Sequence, residues 1–130
     1  MDKEFVPHQP SLDLEELGFD EPCLGYHLCK NSALGVYLEI ITEWIDLFPY
    51  DSSSCKAPTF SQAFRWFREK YNLHSTITLI SNGDIDRVYM VMIDYIYPHK
   101  AIMDFKEYGT YEEAELECLK KLIEIVKEKK

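Results

Sequence analysis

The chain has 130 residues, of which 46% are hydrophobic, 28% are charged and 18 are aromatic, a composition that excludes a disordered chain. This length predicts a single folded domain over residues 1–130. The formal net charge of −9 opposes broad attraction to nucleic acid or to anionic membrane surfaces, so we expect neither as a partner.

The first residues of the chain and its cysteines indicate the cellular compartment in which the protein resides. The first residues lack the basic stretch and apolar run of a signal peptide, and no apolar run approaches the roughly 20 residues that cross a bilayer. The sequence therefore predicts a cytoplasmic protein with free thiols. Cys23, His27 and Cys29 would share one face of a strand but lack a fourth ligand, so we expect no bound metal.

Residues 1–10 contain two prolines and no hydrophobic periodicity, and they are predicted to form an N-terminal arm. Ser11 is a suitable N-cap for a short helix over residues 12–17, and Gly18 is its predicted stop. The chain should therefore enter its first helix at residue 12.

Two strands are predicted next, over residues 23–29 and 36–45. In the second segment the β-branched residues favour a strand, although the spacing of its apolar residues also fits a helix. Residues 49–58 contain three consecutive serines between prolines and are predicted to form a linker loop.

The clearest element follows this loop. Thr59 and Gln62 form a capping-box pattern, and one helical face carries a row of aromatic residues that we expect to be core. These residues are Phe60, Phe64, Phe67 and Tyr71.

A hairpin should follow, with residues 82–85 as its loop. This register pairs Leu79 with Val88 and Ile77 with Met90, and it places these residues on one apolar face under the helices. The opposite face of the second strand, predicted over residues 87–97, would then remain uncovered by any helix.

Residues 98–109 are predicted to form a loop with a short edge strand around 102–105. A second capping box, from Thr110 to Glu113, should open a helix that ends near Lys127. The fold class is therefore α+β, with an antiparallel sheet of two hairpins packed with helices in the order α-β-β-α-β-β-α.

Three blocks of sequence carry a family resemblance. They read ELGFDEPC over residues 16–23, APTFSQAFRWFREKYNL over 57–73 and TYEEAE over 110–115. In order and spacing they resemble a group of small uncharacterised proteins encoded by phages and prophages of Bacteroides-type bacteria. The resemblance implies a phage-related origin and a bacterial host cytosol, and it implies no activity and no catalytic residues.

The sequence argues against an enzyme and against a nucleic-acid-binding module. It contains no GxSxG, GxGxxG or phosphate-loop motif, so we expect no catalytic residue and no cofactor. Residues 59–130 hold 11 basic and 12 acidic side chains, which leaves no basic stripe for RNA.

Binding to a host or phage protein is the function that we expect, in host takeover or in defence against host immunity. Residues 1–58 hold 11 acidic and 3 basic side chains, an asymmetry that suits a basic partner. Self-association through the uncovered sheet face or its edge is a further expectation, and sequestration of a small nucleotide-like ligand is the alternative. The candidate partner-binding residues are Glu39, Glu43, Asp46, Tyr89, Val91, Ile93 and Tyr95.

Overall fold

The structure is a computed structural model that describes residues 2–28, 37–40, 55–81, 87–95 and 100–129. The chain divides into two compact units, Met1–Gln62 and Ala63–Lys130. Helices and antiparallel sheets occur in both units, which confirms the α+β class. The two predicted hairpins lie in separate three-stranded sheets, and each sheet has one strand that the predicted order lacks.

The first unit contains a three-stranded antiparallel sheet with β1 at its centre. Its elements are a 3-10 helix over Asp2–Glu4, helix α1 over His8–Glu16, and strands β1 over Gly25–Leu28, β2 over Tyr37–Ile40 and β3 over Cys55–Ala57. The choice of strand over helix is therefore confirmed for residues 37–40, whereas residues 41–45 lie outside the described residues.

The predicted N-terminal arm is wrong, because residues 2–10 are built into the fold. Phe5 forms a β-bridge with Thr59, and the amide of Val6 donates a hydrogen bond of 2.8 Å to the carbonyl of Pro58. Helix α1 begins at His8, with Pro10 in its first turn. A proline is tolerated there because amides of the first turn have no helical acceptor.

Helix α1 ends as predicted at Gly18, which has a left-handed φ of 102°. The amide of Phe19 donates to the carbonyl of Leu14 at 3.0 Å, and the amide of Gly18 donates to the carbonyl of Glu15 at 3.0 Å. This pair of bonds is a Schellman motif, in which glycine adopts the positive φ without steric cost.

The predicted linker over residues 49–58 is wrong at its end. Cys55–Ala57 is strand β3, which pairs with β1 in the register Cys55 to His27 and Ala57 to Gly25. The serines and prolines around this segment indicate a loop, and the strand depends on a distant partner that local sequence does not reveal. Residues 49–54 lie outside the described residues.

The second unit contains the larger sheet, in which β4, β5 and β6 are antiparallel neighbours in that order. Strands β4, β5 and β6 span Leu73–Ser81, Arg87–Tyr95 and Lys100–Tyr108. Helix α2 spans Phe60–Tyr71, across the division between the units, and helix α3 spans Tyr111–Lys129. Strand β6 is thus a nine-residue strand rather than the predicted loop with a short edge strand.

Both helix starts predicted from capping boxes are confirmed. The hydroxyl oxygen of Thr59 accepts a hydrogen bond from the amide of Gln62 at 3.1 Å, and that of Thr110 accepts one from the amide of Glu113 at 3.1 Å. The Gln62 side chain also donates to the carbonyl of Pro22 at 2.9 Å. It thereby ties the start of α2 to the loop after α1.

The buried face of α2 is rotated relative to the prediction. Phe60 and Phe67 are buried as expected, but Phe64 and Tyr71 are only half-buried, whereas Trp66 is buried. The Trp66 ring packs edge-on against Phe67 at 5.0 Å and against Tyr71 at 5.4 Å between ring centroids. A large ring at the margin of an apolar stripe can thus displace a smaller one from the core.

The predicted register of the second hairpin is wrong by one residue. Leu79 pairs with Tyr89 and Ile77 with Val91, so residues 82–86 separate the two strands instead of 82–85. When the register shifts by one residue, each face of β4 lies on the same side of the sheet as the other face of β5. Leu73, Ile77, Val91 and Ile93 therefore lie on the same face.

Helix α3 packs on the sheet of the second unit and covers this face. The Tyr89 ring of β5 meets the Tyr111 ring of α3 at 5.7 Å between centroids, which identifies the covered side. The fully buried side chains of this unit are Ala63, Phe67, Leu73, Val91, Ile93, Ala114, Cys118, Leu119, Leu122 and Val126.

Candidate functional site

The structure places the predicted partner-binding residues in different parts of the fold. Glu39 lies in β2, paired with Tyr26, whereas Glu43 and Asp46 lie outside the described residues. Tyr89, Val91, Ile93 and Tyr95 lie in β5 of the second unit. The structure therefore does not bring Glu39 together with the β5 residues within one unit.

The expectation of an uncovered β5 face is wrong for Val91 and Ile93. Their exposed fractions are 1% and 0%, because α3 lies on this side of the sheet. Tyr95 pairs with Leu73 and Lys100 at the end of the strand. Tyr89, at the other end of β5, is half-buried and remains available for contact.

Tyr89 belongs to an exposed apolar surface that we call the Leu79–Tyr89–Tyr111 surface. Leu79 lies directly opposite Tyr89 in the β4–β5 ladder, and the Tyr111 ring contacts Tyr89 edge-on at an interplanar angle of 81°. Leu79 is 51% exposed and Tyr111 is 45% exposed. Large apolar side chains with this exposure are unusual when they are contiguous.

The backbone of β6 explains how Tyr111 reaches Tyr89. Strand β6 pairs Tyr108 with Tyr89 and Asp104 with Val91, so residues 105–107 form a bulge opposite one residue of β5. Bulges bend a strand and redirect its neighbours. Tyr108 ends β6 beside Tyr89, and α3 begins three residues later at Tyr111.

Carboxylates border the Leu79–Tyr89–Tyr111 surface on α3. Burial raises the pKa of Tyr111, and the negative charge of Glu115 raises it further. Burial also raises the pKa of Glu115, and the neighbouring charge of Glu112 adds to this effect. Burial is the main cause of both shifts, and the neighbouring carboxylates add to them in the same direction.

Sequence reasoning found Tyr89 but missed Leu79 and Tyr111. Tyr111 lies three residues before Ala114 and seven before Cys118, which continues the apolar stripe of α3 to its first residue. The apolar stripe extends beyond the covered part of the helix, and this extension is the sequence signal that could have identified Tyr111. Leu79 was missed because the predicted register gave it the wrong partner.

The thiols described in the first unit are poorly suited to nucleophilic chemistry. Burial raises the pKa of Cys55 to about 12, with the charge of Glu15 acting in the same direction. Burial also raises the pKa of Cys23 to about 11, and its thiol donates to the carbonyl of Glu21 at 3.3 Å. A thiol is nucleophilic as its thiolate, and these shifts disfavour that form at neutral pH.

His27, in the central strand β1 of the first sheet, is buried. His27 lies 2.7 Å from the carbonyl oxygen of Val6 through Nε2, which must donate because a carbonyl only accepts. Burial lowers the pKa of His27, against the opposing effect of this hydrogen bond, and the nearby His8 lowers it further. His27 therefore holds the N-terminal segment against the first sheet.

The part of the chain that the structure describes contains no group of three or more His, Cys, Asp or Glu side chains arranged to hold a metal ion. No helix in it is both long and apolar enough to cross a membrane. Cys29, one of the three residues considered for zinc, lies outside the described residues.

Comparison of the chain with known protein families, with curated proteins and with solved structures finds no match.

Proposed function

We propose that this chain is a non-enzymatic accessory protein that binds another protein through the Leu79–Tyr89–Tyr111 surface. The observation that carries the proposal is the contiguity of three large side chains, two of them about half exposed. Tyrosine is enriched at the energetic centres of protein interfaces because its ring offers apolar area with few rotatable bonds.

The partner should present a basic side chain to this surface. Burial is the main cause of the raised pKa of Glu115, and repulsion from the negative charge of Glu112 adds to it beside Tyr111. An arginine or lysine placed there would relieve this repulsion and could rest on the exposed Tyr111 ring. The overall charge of −9 would assist the approach of such a partner.

The raised thiol pKa values support the non-enzymatic part of the proposal. The raised pKa values of Cys23 and Cys55 favour their thiol forms at neutral pH, and the ring of His27 is buried, with Nε2 donating to the carbonyl of Val6. None of these groups is prepared for nucleophilic or general-base catalysis.

The resemblance to phage and prophage proteins supports protein binding inside an infected bacterium. The partner would be a host or phage protein in the bacterial cytosol, and binding would serve host takeover or defence against host immunity. Sequestration of a nucleotide-like ligand stays a prediction from the sequence, since no observation in the described residues favours it.

Affinity purification from a Bacteroides-type host, with mass spectrometry of proteins and of released small molecules, tests the proposal. Wild type should enrich a protein that a Leu79→Ser, Tyr111→Ser variant loses, because the variant removes the exposed apolar area. A Glu112→Lys, Glu115→Lys variant should lose the same protein through charge reversal.

Leu24→Ser is the matched control, because Leu24 is 66% exposed and lies in the first unit. This variant should retain the partner. A partner kept by both surface variants would contradict the proposed surface, and recovery of a stoichiometric nucleotide without a protein would contradict protein binding.

A further inference from the structure

Strand β4 forms an edge of the sheet in the second unit. The sheet order is β4-β5-β6, and among the described strands β4 pairs with β5 alone. In an antiparallel strand, backbone donors and acceptors alternate between the two sides. The outer side of β4 therefore offers a row of amides and carbonyls that can pair with another strand.

The sequence of β4 lacks the features that usually block such an edge. Leu73–Ser81 contains no lysine, arginine, aspartate, glutamate or proline, and all nine residues pair with β5 without a bulge. Thr76, Thr78 and Leu79 are exposed near its centre. Soluble proteins commonly protect long edges with charges, prolines or bulges, because an open edge recruits other chains.

We propose that the outer edge of β4 pairs with β4 of a second copy of this chain. The pairing would be antiparallel about a two-fold axis at Ile77, the central residue of the strand, so that all nine residues find a partner. In this register each exposed Thr76 lies opposite Thr78 of the other copy, and threonine pairs stabilise antiparallel strands.

Charge favours a second copy over a charged partner at this edge. The strand itself carries no aspartate, glutamate, lysine or arginine. Residues 63–130 hold 11 basic and 12 acidic side chains, so two copies of this unit approach each other without strong repulsion.

The proposed dimer would contain two copies of the Leu79–Tyr89–Tyr111 surface, although the pairing of β4 does not depend on binding at that surface. A two-fold axis perpendicular to the joined sheet keeps both α3 helices on the same side. Two copies of the Leu79–Tyr89–Tyr111 surface would then face one direction, which allows bivalent binding.

Complementary charge variants test the pairing by its register. In a Thr76→Lys, Thr78→Lys variant, lysines lie opposite lysines, and in a Thr76→Glu, Thr78→Glu variant glutamates lie opposite glutamates. Each variant alone should have the monomer mass by light scattering, and an equal mixture should recover the dimer. Wild type should be dimeric at about 0.2 mM, above the roughly 10 µM dissociation constant expected of a small interface.

A monomeric wild type at this concentration would overturn the proposal. A dimer that both double variants retain would also overturn it, because association would then use another surface. Should either variant fail to fold by circular dichroism, hydrogen exchange of wild type decides instead. The amides of residues 73–81 should gain protection as concentration rises, and unchanged exchange would overturn the proposal.

Discussion

The carbonyl oxygen of Val6 holds the N-terminal segment in place. It accepts a hydrogen bond from the Ser11 hydroxyl at 3.1 Å and another from His27 Nε2 at 2.7 Å. The Val6 amide donates to Pro58, and the Val6 side chain is fully buried. The segment before α1 is thus fastened to the first sheet by backbone and side-chain contacts together.

His27 should make the stability of the protein depend on pH. Its folded pKa lies below the ordinary value of about 6.5 because burial disfavours the charged ring. Protonation therefore favours the unfolded chain, and the stability contribution present above pH 6.5 is lost as the pH falls through the folded pKa.

Chemical denaturation of wild type and of His27→Gln at pH 7 and about pH 5 measures this contribution. The glutamine amide can still donate a hydrogen bond but does not titrate in this range. The loss of unfolding free energy on acidification should be smaller in His27→Gln than in wild type. Equal losses would show that His27 does not contribute to the pH dependence.

Gly25 allows the close approach of Phe5 to β1. A Cβ atom at Gly25 would lie 2.7 Å from two atoms of the Phe5 ring and 3.0 Å from the carbonyl oxygen of Ala57. Gly25→Ala should therefore cost about 1–3 kcal/mol of unfolding free energy by displacing the ring or the strand.

Gly109→Ala is the control for this prediction, because a Cβ atom there meets nothing within 4 Å. Its unfolding free energy should stay equal to that of wild type or rise by up to about 1 kcal/mol. A Gly25→Ala variant as stable as Gly109→Ala would show that Phe5 does not pack tightly on β1.

At the scale of single elements, β5 offers a direct test of the observed register. Ile93 faces α3 and is fully buried, whereas its neighbour Met92 faces the opposite side of the sheet and is half-buried. Ile93→Lys should destabilise the fold by more than about 3 kcal/mol, because it buries a charge without a partner. Met92→Lys should cost less, because position 92 is only half-buried and the lysine ammonium group can reach water from it.

Equilibrium unfolding in urea compares the two variants. Similar destabilisation by both variants would mean that α3 does not cover the Ile93 face of β5 in preference to the Met92 face. A larger cost for Met92→Lys than for Ile93→Lys would restore the register predicted from the sequence.

The elements that sequence could predict are those with local causes. Thr59, Thr110 and Gly18 each define a helix end through a hydrogen bond or a backbone conformation within a few residues. The starts of α2 and α3, the Gly18 stop and the strand at residues 37–40 were therefore predictable, whereas α1 begins at His8 and not after Ser11 as predicted.

The remaining elements depend on distant partners. Both faces of β5 carry apolar residues, so alternation alone does not choose the register. Strands β3 and β6 acquire their pairing from β1 and β5. For the same reason sequence identified Tyr89 but not its neighbours Leu79 and Tyr111, which different elements bring to it.

At the scale of the whole molecule, the two units differ in net charge. Residues 1–62 carry 8 of the 9 net negative charges, whereas the second unit carries the Leu79–Tyr89–Tyr111 surface. In the proposed function the acidic unit increases the rate of encounter with a basic protein. The aromatic surface then provides the contact that determines the lifetime of the complex.

The most direct test of protein binding places a photo-crosslinking phenylalanine analogue at position 111 and, as control, at position 24. Illumination in host cells followed by mass spectrometry identifies what lies against each side chain. The account predicts a crosslink from position 111 to a protein other than this chain, without an equivalent crosslink from position 24. No foreign protein at position 111, or the same yield of it at both positions, would contradict the account.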